Sequence, residues 1–432
     1  DSINIGDDNV AVGYLALSGT GPGNKNTAIG KGALQIASQT FALASGAYNN
    51  DPTVTMAASS AVEVGMVVTS NAAGIPSGAT VASISGGSVT TFELSASTTG
   101  GAVTGATLTF AGGQDANNTA VGYNAGGSVT TGLQNVIIGS SAADALTTGN
   151  ENSIIGYNAG GVMTVANYNT ALGRSALSSS VDGAHNTAIG YNALQDYEGG
   201  ANEGNNTAVG SKSQLNATTG TSNTSIGTIA FGTGVLTGAG NVAVGYATGN
   251  QMTAGTKNTL LGASAGESLT IGNNNVAVGY ESLGLSVDGD ANTAVGYRAL
   301  KNYEGDDGDG HNTAVGSSSQ TNATTGEFNT SLGSSAMGLG VVTGDDNVAI
   351  GYRSGYDLTS ATLNTLVGNY SGANITSAIN NTALGYNTLT SNVVGDNNTA
   401  LGYRALEDFV ADTDGHGGNT AVGSSSMSNL ST

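Results

Sequence analysis

No cysteine occurs in the chain, which excludes disulfide staples, thiolate metal sites and a cysteine nucleophile, and leaves the redox compartment open. Tryptophan is absent and only 3 prolines occur in 432 residues. Positive charge is scarce: 9 Lys and Arg stand against 30 Asp and Glu, a net charge of −21 that repels nucleic acid and anionic membrane surfaces. No run of about 18 apolar residues offers a membrane span, and no basic leader precedes an apolar stretch. The chain begins at Asp1 without Met and ends on SSSMSNLST without a capping signal, so it is expected to be a piece of a longer protein.

What the chain does have is glycine, 70 residues of it, in one recurring phrase. The phrase is typified by NTAVGYRAL, Asn292 to Leu300: Asn, a small polar or β-branched residue, an apolar residue, an aliphatic residue, then Gly. It occurs twenty times, headed by Asn9, Asn26, Asn118 and so on to Asn419. Thirteen of the nineteen intervals are 17 residues, five are 18 to 21, and one of 92 must hold an insertion. A short period sustained over a whole chain signifies a solenoid. A second period of 106 residues, six coils, overlies the first: NALQDYEG (Asn192 to Gly199) returns as RALKNYEG (Arg298 to Gly305).

Three segments follow: coils over 1–49, a small inserted β domain over 50–113, and coils over 114–432, with the six-coil block repeating from 186. Thr40 to Tyr48 is read as a degenerate third coil. Between Asn50 and Gly113, short alternating runs broken at Gly74 to Ser77 and Gly86 to Ser88 predict several strands. Within a coil, TAVG predicts a first strand and YNAL or YRAL a second, followed by a polar return loop. The Gly of the phrase (Gly122, Gly190, Gly296, Gly402) suits positive φ or close backbone approach. The heading Asn (Asn118, Asn186, Asn292, Asn398) suits an amide ladder between stacked coils. The strand alternates faces, yet both its central residue and Val295 are apolar; one face fills the coil's own core, and the other, enlarged at Ile137, Ile154, Leu260 and Leu366, calls for a partner.

N-T-A-V-G and N-T-A-I-G resemble the head repeats of trimeric autotransporter adhesins, whose N-S-V-A-I-G coils form a left-handed parallel β-roll assembled as a trimer. The wording is also similar to repeats in fibre and appendage proteins of tailed phages, including those of cyanobacteria. The resemblance covers about 350 residues and implies an all-β, left-handed parallel β-roll of 17-residue coils, an intertwined homotrimer, and a place in a virion appendage, or alternatively on a bacterial cell surface. The coil is longer than the adhesins' and no heptad stalk, neck or membrane anchor is in view, which favours the virion fibre.

Chemical motifs are few. GDDGDGH (Gly305 to His311) and DTDGHGG (Asp412 to Gly418) place Asp306, Asp307, Asp309, Asp412 and Asp414 on Gly-rich loops, as a hard cation such as Ca²⁺ requires, although the EF-hand spacing is not met. His185, His311 and His416 share one loop position, about six coils apart, too far for one metal centre within a chain. Ten of the sixteen tyrosines directly follow the repeat Gly, forming either a glycan-stacking ladder or a shield for the coil edge. No nucleophile with a His and Asp partner, and no phosphate loop, is evident. The expected function is therefore a structural fibre, with itself, other fibre proteins and a host glycan or protein as partners. The alternatives are a host-binding adhesin acting through the return loops or the insert and, third, a polysaccharide depolymerase using hidden carboxylates.

Overall fold

The computed structural model describes residues 8–18, 23–35, 40–59, 62, 64, 66–84, 89–111, 115–199, 204–305, 310–411 and 416–429. Among them there is no helix; the chain is a parallel β-solenoid of roughly 17-residue coils with a small antiparallel sheet set into it. Two compact units divide it, 1–204 and 205–432.

In the first unit, strands β1 (Val10–Val12) and β2 (Thr27–Ile29) head the first two coils. The chain then leaves the stack to form β3 (Thr40–Asn49), β4 (Thr53–Ser59), β5 (Val67–Ser70), β6 (Val81–Ile84), β7 (Val89–Leu94) and β8 (Ala102–Ala111). It returns as β9 (Thr119–Val121), which pairs in parallel with β2, and four more coils follow to β13 (Thr187–Ile189). The second unit stacks thirteen coils from β14 (Thr207–Val209) to β26 (Thr420–Val422).

Each coil has one strand of three residues, and this register repeats without slip: Val276 to Val278 pair with Thr293 to Val295, and these with Thr313 to Val315. The second run, expected to be extended, is instead a series of turns, because Arg298 and Leu300 adopt left-handed φ of 55° and 49°. Alternating left-handed residues fold the chain around a corner, which brings Ala299 and Leu300 into the interior. Asn at the same place in other coils, as at Asn192 and Asn387, is the residue that tolerates this conformation best after glycine.

The coil core is thin. It consists of the central strand residue, two residues of the corner and one from the return loop, for example Ala294, Ala299, Leu300 and Tyr303, all fully buried. Large and small residues alternate along it. Where the central residue grows to Leu260 or Leu366, the corner residues that meet it are glycines: a Cβ on Gly249 or Gly266 would lie 2.9 or 3.0 Å from Leu260, and one on Gly355 or Gly372 3.0 or 2.8 Å from Leu366. The core thus keeps near-constant volume from coil to coil, as close packing requires.

The corner also takes buried polar residues, as at Thr248, Ser282, Ser354, Ser371 and Thr388, and twice they gather with a Gln into a cluster. Ser213, Gln214 and Ser225, all fully buried, form a polar plug: the Ser213 and Ser225 hydroxyls meet at 2.5 Å, and Gln214 Nε2 donates to Ser225 Oγ at 2.9 Å and to Thr207 O at 3.1 Å. The same plug recurs as Ser319, Gln320 and Ser331.

The inserted sheet runs in the order β5-β8-β3-β4-β7-β6. Its edges meet: Val68 N donates to Ala79 O at 2.9 Å and Val81 N to Met66 O at 2.8 Å, so the sheet curls into a small barrel. Val54, Val68, Phe92, Leu108 and Phe110 fill it, the two Phe rings edge to face at 5.5 Å. The barrel claims one stretch that the repeat reading gave to a third coil. Thr40 to Tyr48 belongs to β3, paired antiparallel with β4 and β8, because this stretch lacks the Gly that turns a coil. The turn at Gly74 to Ser77 is present, while the one at Gly86 to Ser88 lies outside the described residues.

Candidate functional site: the outer strand face and its flanking columns

The heading Asn is buried in every coil between those of Asn9 and Asn419, and it spans the gap to its neighbours. Asn275 Nδ2 donates to Asn258 Oδ1 at 3.1 Å and to Gly289 O at 2.7 Å, while Asn275 Oδ1 accepts from Asn292 N at 2.9 Å. Asn118 repeats this with Gly132 O and Asn135 N, Asn186 N donates to Asn169 Oδ1, and Asn398 joins Asn381 to Asn419. Asn292 Oδ1 in turn accepts from Asn312 N at 3.0 Å. The side-chain amide so replaces a backbone partner at the strand start and ties three coils together.

The Gly that ends the strand meets both physical demands at once. Gly296 has φ 137°, and a Cβ there would lie 2.4 Å from Gly316 O in the next coil. Gly122, Gly190 and Gly402 share the conformation, with φ of 141°, 138° and 129°.

Between Asn and Gly, the strand presents its first and third residues outward. The third is Val, Ile or Leu in all twenty copies, yet none is buried: half are exposed, as at Leu172 45%, Leu261 47%, Leu332 48% and Leu401 41%, and half are partly exposed. Val295 belongs to this column and is partly exposed. Ile137, Ile154, Leu260 and Leu366, assigned from the sequence to the outward face, are instead fully buried in their own coils. They occupy the strand's central position, which faces the core, and the facing glycines make room for them.

Tyrosine flanks this face just beyond the Gly. Tyr280 and Tyr297 stack at 5.7 Å, Tyr386 and Tyr403 at 5.6 Å, with ring planes within 11° of parallel. Lys31 Nζ lies 5.8 Å from the ring centres of both Tyr14 and Tyr123, and Arg174 Cζ lies 5.7 and 5.9 Å from Tyr157 and Tyr191. Tyr370 instead meets Tyr352 and Tyr386 edge to face, at 5.3 and 6.3 Å, so the column mixes stacked and perpendicular rings.

Ionic chemistry is sparse. Glu281 Oε2 accepts from Lys301 Nζ at 2.6 Å and Arg298 Nε at 2.8 Å, and these contacts, led by Lys301, hold its carboxyl down at about 2. Burial pushes the Asp357 carboxyl up, against the pull of Arg353. The candidate Ca²⁺ ligands Asp306, Asp307, Asp309, Asp412 and Asp414 lie outside the described residues. Among the described residues, no group of three or more His, Asp or Glu is placed to hold a metal ion. His185 stacks on Tyr168 at 4.7 Å and His311 on Phe328 at 5.1 Å, each ring lying just before a ladder Asn. On the barrel, a surface hollow of about 300 Å³ is lined by Tyr48, Asn49, Asp51, Thr53, Ala102 and Val103.

No protein-family model, no curated protein and no solved structure matches the chain.

Proposed function

We propose that the chain is a structural fibre protein, a left-handed β-roll that assembles with two further copies into a rigid homotrimeric rod of a phage tail fibre or virion appendage. One observation carries this reading: the outward third strand position, exposed or partly exposed throughout, is aliphatic in every coil of a chain that is only 38% hydrophobic and carries 30 acidic residues. An outward column free to vary in an acidic protein does not stay Val, Ile or Leu twenty times over unless it is covered. The column recurs once per coil, so a covering partner must carry the same axial spacing of about 4.8 Å, and a second copy does. Sedimentation of the purified chain tests the reading, with a mass near three chains and an elongated profile expected. A compact monomer, or an assembly unchanged by Leu261→Lys with Leu384→Lys, overturns it.

The barrel favours a second role on the same fibre, contact with a host glycan or protein. It stands outside the coil stack and carries a surface hollow in which Asn49, Asp51 and Thr53 stand beside Ala102 and Val103. Host adsorption by particles whose fibre lacks the barrel measures this; undiminished adsorption removes the role.

A further inference from the structure

Charge is sorted by position in the coil. From the ladder Asn through the Gly four residues on, no coil carries an acidic or basic residue. Six of the nine basic residues, Lys31, Arg174, Lys212, Arg298, Arg353 and Arg404, lie five or six residues after the Asn, where Glu281 is the sole acid. Acids gather in the four positions before the Asn, as at Asp115, Glu151 and Asp182 in the first unit and Asp290, Glu327 and Asp346 in the second, against two lysines, Lys25 and Lys257. Lys25 is paired with Asp115.

These two groups bracket the strand column, because one precedes the strand and the other follows it. The aliphatic face therefore has an acidic edge and a tyrosine-lined edge whose near column is basic, with Asp144, Asp196, Glu267, Asp357, Glu407 and Asp408 set further from the face, nine or ten residues after the Asn, in both units alike. In-chain pairs take part of the basic edge: Arg298 is held by Glu281 and Arg404 by Glu407, yet their side chains remain 39% and 46% exposed. Arg174, Lys212 and Arg353 form no ion pair among the described residues.

We propose that the sorted edges fix the polarity of self-association, so that copies lie parallel with the basic edge of one against the acidic edge of the next. This rests on the self-association reading above and commits to a second copy as the occupant of the face. The symmetry decides it. Rotation about an axis along the solenoid brings opposite edges together, whether the ring closes at two copies or three. A two-fold axis across the solenoid runs the chains antiparallel and sets acid against acid and base against base. Juxtaposed like charges disfavour the second arrangement, while Tyr and Arg are the residues that contribute most at interfaces.

The absence of cysteine makes the test direct. In the full chain, Leu401→Cys places a single thiol on the aliphatic column. In low salt a short bis-maleimide should link copies through this one position, since parallel alignment brings like residues together. Charge reversal by Arg174→Glu, Lys212→Glu and Arg353→Glu should lower the linked yield several-fold, and adding Glu151→Lys, Glu327→Lys and Asp346→Lys should restore it. Restoration also shows that the first variant had not simply misfolded. An assembly that sediments as a multimer but does not link at Leu401→Cys, or links regardless of reversal, overturns the proposal and leaves self-association standing. A chain that sediments as a single copy overturns both.

Discussion

The backbone amide of Asn118 donates to the side-chain oxygen of Asn26, 3.2 Å away and 92 residues earlier in the chain. The strand that follows Asn26 pairs with the strand that follows Asn118 in the register used by every other coil. The barrel is therefore inserted between two coils that stack as though it were absent. Excision of residues 38–112, which restores a 17-residue interval between Asn26 and Asn118, is expected to leave the solenoid folded, with far-UV circular dichroism and melting of the coils unchanged. Loss of cooperative melting would show that the barrel braces the first coils.

The ladder Asn is expected to be costly to remove. Asn275→Ala deletes two donor contacts and the acceptor for Asn292 N within a buried layer, a loss of about 1–3 kcal/mol. Hydrogen exchange should accelerate at Asn292 and its neighbours before more distant coils respond, because a solenoid's stability is carried by nearest-neighbour contacts.

Gly296→Ala forces a Cβ into left-handed backbone and against Gly316 O, and is expected to cost at least about 2 kcal/mol. Gly78→Ala has the positive φ but open space around it, and is expected to cost less. Thermal melts of the two variants check the ordering.

Glu281 gives a pH signature. Its carboxyl titrates at about 2 in the folded chain against 4.5 when unfolded, so its contribution is fully present above pH 4.5 and is lost as the pH falls towards 2. The side chain is 19% exposed and the pair lies at the surface, so the contribution is about 1 kcal/mol. Glu281→Gln should flatten the stability profile over that interval and leave it parallel to the parent above pH 5.

Much of the fold is written openly in the chain. Period, strand position, Asn ladder and turning Gly all follow from NTAVG, because each coil solves the same packing problem with the same letters. The paired exchange of a large central residue for corner glycines, Leu260 with Gly249 and Gly266, is not revealed by periodicity and shows only in the packing. Besides Thr40 to Tyr48, two features differ from their reading in the sequence for a physical reason. YRAL looks extended because its apolar letters suit a strand, but left-handed Arg298 and Leu300 bend it, and only Asn in sister coils hints at this. Ile137 and its counterparts looked like an outward surface because alternation alone does not say which face is inside.

The polar plug of Ser213, Gln214 and Ser225 acts as a reading mark in an otherwise monotonous stack. A chain that skipped the coil headed by Asn223 would set Gln214 against Ala243, and the buried amide would lose its Ser225 partner and keep only Thr207 O of its own coil. A chain that skipped a whole six-coil block would set it against Ser331, which answers equally well. At these two places the stack therefore penalises the loss of a single coil more than the loss of an entire block, so a change of length by one block is the step its core accommodates best.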